Sequence, residues 1–159
     1  VSIRQKRLAD VLGRRFAAAV VAIAVGMAAL LTGPTAAHAA DKNPYSASGL
    51  CGAGYYVLDV NPADGDYYIY VLYNRSTGKN CVVTLKQNHL GVKTPVDARV
   101  KAQGGSWVVD RGSYSYYAGP VYVNAADKCI QWGGYAYYYP SGGAAPYWIG
   151  YESFPEFCG

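Results

Sequence analysis

Histidine, phenylalanine, charge excess and long apolar runs are all scarce in this chain, and each scarcity removes a class of function. Only His38 and His89 occur among 159 residues, so neither an imidazole metal cluster nor a histidine relay is readily built. A Ser–His–Asp unit would have to use His89, in "KQNHLGVKTP", a polar loop without the glycine pattern of a nucleophile elbow. The one extended apolar run, "FAAAVVAIAVGMAALL" at residues 16–31, is 16 residues long, slightly short for a spanning helix of about 20. Phenylalanine appears three times against 17 tyrosines. That last imbalance is the chain's signature.

The apolar run follows a basic start, "VSIRQKRLADVLGRR", and ends in "AHAA" at residues 37–40. A basic beginning, a short apolar middle and a small-residue exit describe a secretory signal peptide over residues 1–40. Cleavage is expected after Ala39 or Ala40. An uncleaved anchor is the rival reading. The chain carries 14 basic and 10 acidic residues, and the leader holds five and one of them, leaving nine of each. The apparent basicity therefore belongs to the leader. A folded domain without basic excess is not expected to bind nucleic acid, and neutrality removes steering toward anionic membranes. No membrane attachment is expected once the leader is gone.

Cys51, Cys81, Cys129 and Cys158 are the only cysteines. Four in an exported domain indicate two disulfides, with three possible pairings. Spacing favours Cys51–Cys81 and Cys129–Cys158, since each pair would join neighbouring strand-like segments. A zinc site fails, because no two cysteines lie close together.

After a flexible arm at 41–50, residues 51–159 read as short strands divided by turns. "YYVLDV" (55–60), "YYIYVLYN" (67–74) and "NCVVTLK" (80–86) are separated by "NPADGD" and "RSTGK", both rich in turn residues. "VDARVKA" (96–102) alternates cleanly: Val96, Ala98, Val100 and Ala102 on a dry face, Asp97, Arg99 and Lys101 on a wet one. "SWVVD" (106–110), "PVYVN" (120–124), "KCIQW" (128–132), "YAYYY" (135–139) and "YWIGY" (147–151) complete the series. The expected fold is all-β, a single antiparallel sandwich or barrel-like domain with two disulfides.

No motif supplies chemistry. "DVNPADGD" offers Asp59, Asn61, Asp64 and Asp66 as oxygen ligands, but Ala63 breaks the calcium-loop register. "STGKN" lacks the first glycine and the hydroxyl of a phosphate loop. Asp110, Asp127, Glu152 and Glu156 are available carboxylates, and no spacing singles out two of them. The reading is a non-enzyme without metal or cofactor.

The tyrosines remain. They cluster in "GSYSYYAGPVYV" (112–123) and "GGYAYYYPSGG" (133–143). A phenol buries much apolar area while its hydroxyl still needs a partner, so tyrosine suits faces that are half covered and half wet. Cross-strand packing of ring on ring is one use; an exposed aromatic contact surface is the other. Tyr137, Tyr138, Trp148 and Tyr151 are the candidates for such a surface. In "YYIYVLYN" neither face is polar, so the face of Tyr68, Tyr70 and Leu72 is either covered by another layer or an exposed patch.

"CGAGYYVLD" (51–59), "LYNRSTGKNCVVTL" (72–85), "YYAGPVYV" with "KCIQWGG" (116–134) and the closing "CG" resemble the spore-associated protein A family. Its members are small exported proteins of filamentous, spore-forming bacteria. The resemblance runs from Cys51 to Gly159 and includes all four cysteines. It implies an extracellular, non-enzymatic protein held non-covalently by spore or cell-wall surface material, or by a secreted protein partner. The other expectation is a glycan-binding or adaptor subunit of a secreted assembly.

Overall fold

Alternation of apolar and polar residues sorts the chain into two sheets with one shared dry interior. The computed structural model describes residues 42–159; the expected leader lies outside them. One short helix, α1 (Ala47–Cys51), precedes eight strands: β1 (Tyr56–Ala63), β2 (Tyr67–Asn74), β3 (Lys79–Lys86), β4 (Thr94–Ala102), β5 (Val108–Tyr114), β6 (Tyr117–Asn124), β7 (Ile130–Tyr138) and β8 (Tyr147–Glu152). They form two four-stranded sheets, ordered β1-β2-β3-β6 and β5-β4-β7-β8, with every pairing antiparallel. The domain is thus all-β, and no barrel closes.

The inward residues of both sheets meet in one cluster. Ile69, Val71 and Val82 of the first sheet face Val96, Ala98, Val100, Trp132 and Ala136 of the second, all essentially buried. Tyr67 joins them, and its hydroxyl reaches across to donate to the carbonyl of Tyr137 at 2.8 Å. A phenylalanine there would fill the same space but leave that carbonyl unpaired. Tyr114 behaves similarly at the sandwich rim, donating to Asp110 at 2.5 Å. The bond to that carboxylate raises the phenol's pKa, with desolvation adding to it.

The second apolar face of β2 is covered. α1 lays Ala47 and Cys51 against Leu72, Cys81, Val83 and Leu85, with Tyr70 and Tyr117 at the margin. Ser46 caps α1 by accepting from the Gly49 N–H at 3.1 Å. Asn43 fastens the preceding turn, donating to the carbonyls of Lys86 and Tyr116 at 2.9 and 2.8 Å. The segment read as a flexible arm is therefore, from residue 42 onward, a docked cover whose helix buries one face. Its polar composition hid this, because two buried residues and two amide hydrogen bonds suffice to hold it.

Both favoured disulfides form. Cys51–Cys81 ties α1 to β3, and Cys129–Cys158 ties the start of β7 to the chain's closing residues. "KCIQW" and "YAYYY" are one strand, β7, which runs unbroken through Gly133 and Gly134. Those glycines serve close approach. A Cβ on Gly134 would meet Thr84 Oγ1 of the opposite sheet and lie 2.7 Å from the carbonyl oxygen of Asp97. "NPADGD" is likewise shorter as a turn than its composition suggests, since Asn61, Pro62 and Ala63 still pair with β2.

Lys86 closes the fold at the end of β3. It is fully buried, and its ammonium donates to the carbonyls of His89, Val92 and Tyr114 at 2.9, 2.6 and 3.2 Å. Burial lowers its pKa to about 8. Its bonds to His89 and Val92 hold the 87–93 loop against the end of β5, and within that loop His89 adopts a left-handed backbone with φ 52°.

Candidate functional site

The outer face of the second sheet concentrates the polar and aromatic side chains that the core does not use. On β4, Asp97 points outward, directly opposite Arg111 of β5 on one side and Tyr135 of β7 on the other. Period two places Arg99 beside it on the same face. The polar edge of "VDARVKA" reads as wet, yet the Asp97 side chain has 0% exposure. Its neighbours cover it. Arg99 donates through Nε to Oδ1 at 3.2 Å and through Nη2 to Oδ2 at 2.6 Å. Arg111 donates through Nε and Nη2 to Oδ2 at 2.8 and 2.6 Å. The backbone N–H of Tyr135 gives the carboxylate a fifth hydrogen bond at 3.1 Å.

One buried carboxylate thus orients two guanidinium groups. Desolvation disfavours the Arg99 cation, but hydrogen bonding and the charge of Asp97 outweigh it, and its pKa lies above the ordinary value. Glu152 adds a looser contact, 3.6 Å from Arg99 Nη1. Arg111 stays open, with 57% of its side chain exposed.

Aromatic rings stand over these cations. The Arg99 guanidinium lies 4.6 Å from the Tyr135 ring centre, and that of Arg111 lies 5.5 Å from the Trp148 ring. Arg111 and Trp148 come from opposite edge strands and meet above the two central ones. The Tyr135 ring rests on Gly150, where a Cβ would sit 2.6 Å from Tyr135 Cδ1. The result is an open concavity of about 320 Å³ lined by Arg99, Arg111, Tyr135 and Trp148. Trp107 extends the face, with Lys101 Nζ 4.7 Å from its ring centre.

The four aromatic residues singled out from the sequence divide between two faces. Tyr137 and Trp148 pair across β7 and β8 on the outer face, with ring centres 4.9 Å apart. Trp148 is 45% exposed. Tyr138 and Tyr151 point inward and pack against the core, Tyr151 with its ring 5.2 Å from Trp132. Tyr137 and Trp148 are therefore brought together, and Tyr138 and Tyr151 stand apart from them. Composition passed over Asp97, Arg99, Arg111 and Tyr135. The available signal was an outward Asp-x-Arg on a central strand, which needs a cationic cover if the sheet face is packed.

The remaining titratable groups are separated by their hydrogen bonds. Asp110 accepts from Tyr114 and from the Gly119 N–H. Glu156 accepts from Trp132 Nε1 at 2.5 Å. His89 sets its ring against Tyr139, 5.2 Å between centres. Among the described residues no three His, Cys, Asp or Glu side chains gather to hold a metal ion, and no helix is long and apolar enough to cross a membrane.

Compared with known proteins, the chain is 41% identical over 112 residues to spore-associated protein A of Streptomyces coelicolor, an overlap spanning 70% of this chain and 72% of that protein. No family model and no solved structure matches it.

Proposed function

The chain belongs to the spore-associated protein A family, and from that premise we propose that it is an exported, non-catalytic protein that attaches non-covalently to the spore or cell-envelope surface. The contact is made by the outer face of the second sheet. The carrying observation is the open aromatic and cationic concavity of Arg99, Arg111, Tyr135 and Trp148, continued by Tyr137. Rigid rings beside exposed arginine are the composition that dominates the energetics of protein contacts. A half-exposed tryptophan stacked on a cation keeps polarisable area available to a partner instead of closing it into the core.

A non-catalytic role is supported by how the acids are employed. Asp97, Asp110 and Glu156 each accept structural hydrogen bonds, and His89 sets its ring against Tyr139. The partners are wall or spore surface material or a secreted protein; no nucleic acid and no membrane is involved. Fractionating a sporulating culture tests this: the protein should be recovered with spores or envelope and released by mild chaotrope without covalent cleavage. Recovery only from cleared medium would contradict it.

A further inference from the structure

Resting on that reading, we propose that the concavity is a site for an acidic sugar, whose ring stacks on Trp148 and whose oxyanion is taken by Arg111. Four features of the site lead there.

First, the arginines are fixed before any ligand arrives. Both Nε and Nη2 of Arg111 are spent on Asp97, so the guanidinium plane is set by a fully buried carboxylate. The Nη1 end carries two further N–H donors, and no hydrogen bond to a described residue engages it. A guanidinium so held loses little rotamer entropy on binding.

Second, the acids are placed away from the open end of Arg111. Asp97 compensates one of the two arginines that share it. Glu152 is placed against Arg99, at 3.6 Å, and not against Arg111. The Nη1 end of Arg111, beside Trp148, is engaged by neither acid, and a carboxylate or phosphate there would form charge-assisted hydrogen bonds.

Third, the walls suit a pyranose. Trp148, 45% exposed beside Arg111, still offers open ring area, while Tyr135, held between Gly150 and Arg99, forms a fixed wall. At about 320 Å³ the space falls at the small end of ligand clefts, which run roughly 300–1,000 Å³. It fits one ring of a chain that continues across the open sheet face toward Tyr137 or Trp107.

Fourth, the structure maintains the site at some cost. Gly150 is required under Tyr135, because a Cβ there would collide with the ring and with the carbonyl of Gly134.

The test is calorimetric titration of the disulfide-bonded protein, at low salt, with three probes: trigalacturonate, glucose 6-phosphate and chitotriose. Expected is binding of at least one acidic probe at least about tenfold tighter than chitotriose, and the one that binds identifies the oxyanion. Arg111→Met and Trp148→Ala should each weaken it at least about tenfold. Arg111→Lys, which keeps a cation beside Asp97 but loses the fork, should also weaken it and serves where the methionine variant folds poorly. Equal binding of acidic and neutral probes, no binding of any, or affinity indifferent to Arg111→Lys and Trp148→Ala overturns the acidic-sugar assignment. Retention on spores that is lost in Trp148→Ala, with no acidic-sugar binding, overturns the ligand alone and leaves the surface role standing. Absence of spore retention in the unaltered protein overturns the surface role instead.

Discussion

Replacing Asp97 by asparagine asks whether charge organises the outer face. The amide keeps the shape of the side chain and an oxygen for the Tyr135 N–H, now at 3.1 Å, but removes the anion that both arginines share. Breaking a buried ion pair by neutralising one partner costs about 3–5 kcal/mol. Here the arginines can recover part of that. Their side chains are 15% and 57% exposed, and Arg99 has Glu152 as an alternative at 3.6 Å. The expected loss is therefore about 2–3 kcal/mol. With a urea slope of roughly 1–3 kcal/mol/M for a small domain, the unfolding midpoint should fall by about 0.7–3 M, read by circular dichroism and tryptophan fluorescence together. Arg111→Met should cost less, because Arg99 still pairs with the carboxylate. A loss below about 0.5 kcal/mol in Asp97→Asn, the range of an ordinary surface substitution, would refute the view that one buried anion holds this face.

Three further perturbations probe the frame beneath it. Replacing Cys129 and Cys158 together by alanine opens a loop of 29 residues and should cost about 3–4 kcal/mol in the chain-entropy description; a loss under about 1 kcal/mol would mean the chain end holds by packing alone. Gly134→Ala forces a methyl toward Thr84 Oγ1 and the Asp97 carbonyl, and should destabilise by about 3 kcal/mol or more; near-neutral stability would show that the sheets do not approach there as described. Lys86 predicts a pH dependence: below about pH 8 both states carry the proton and burial of the cation is a constant penalty. Between about 8 and 10.5 the unfolded lysine keeps a proton that the native one has released, so stability rises with pH. The difference between the unaltered protein and Lys86→Met should show that rise, with tyrosine titration common to both; a flat difference contradicts it.

The all-β class and both disulfide pairings were legible because they rest on local signals: alternation, turn residues and cysteines flanking strand-like runs. Those signals leave the choice between sandwich and barrel open, and they do not reveal the burial over Asp97. A period-two pattern says which side a residue takes, while what lies across that side depends on strand order, and Arg111 and Tyr135 reach Asp97 only through pairings of β4 with β5 and β7. Gly133 and Gly134 look like a break between strands, since glycine marks turns and close approach with the same letter. Tyr137 and Tyr138 could have been divided from the outset, because adjacent strand residues point to opposite faces. For tyrosine the composition was ambiguous by nature: Tyr67 spends its hydroxyl inside the core, whereas Tyr137 joins Trp148 on the open face.

The most direct measurement is co-sedimentation of the purified protein with washed spores and envelope fragments, comparing the unaltered chain with one carrying Tyr137→Ala and Trp148→Ala. The account predicts that the unaltered protein pellets, and that the double variant stays largely in the supernatant while unfolding at nearly the same urea concentration. Equal pelleting by both would contradict attachment through the outer face of the second sheet.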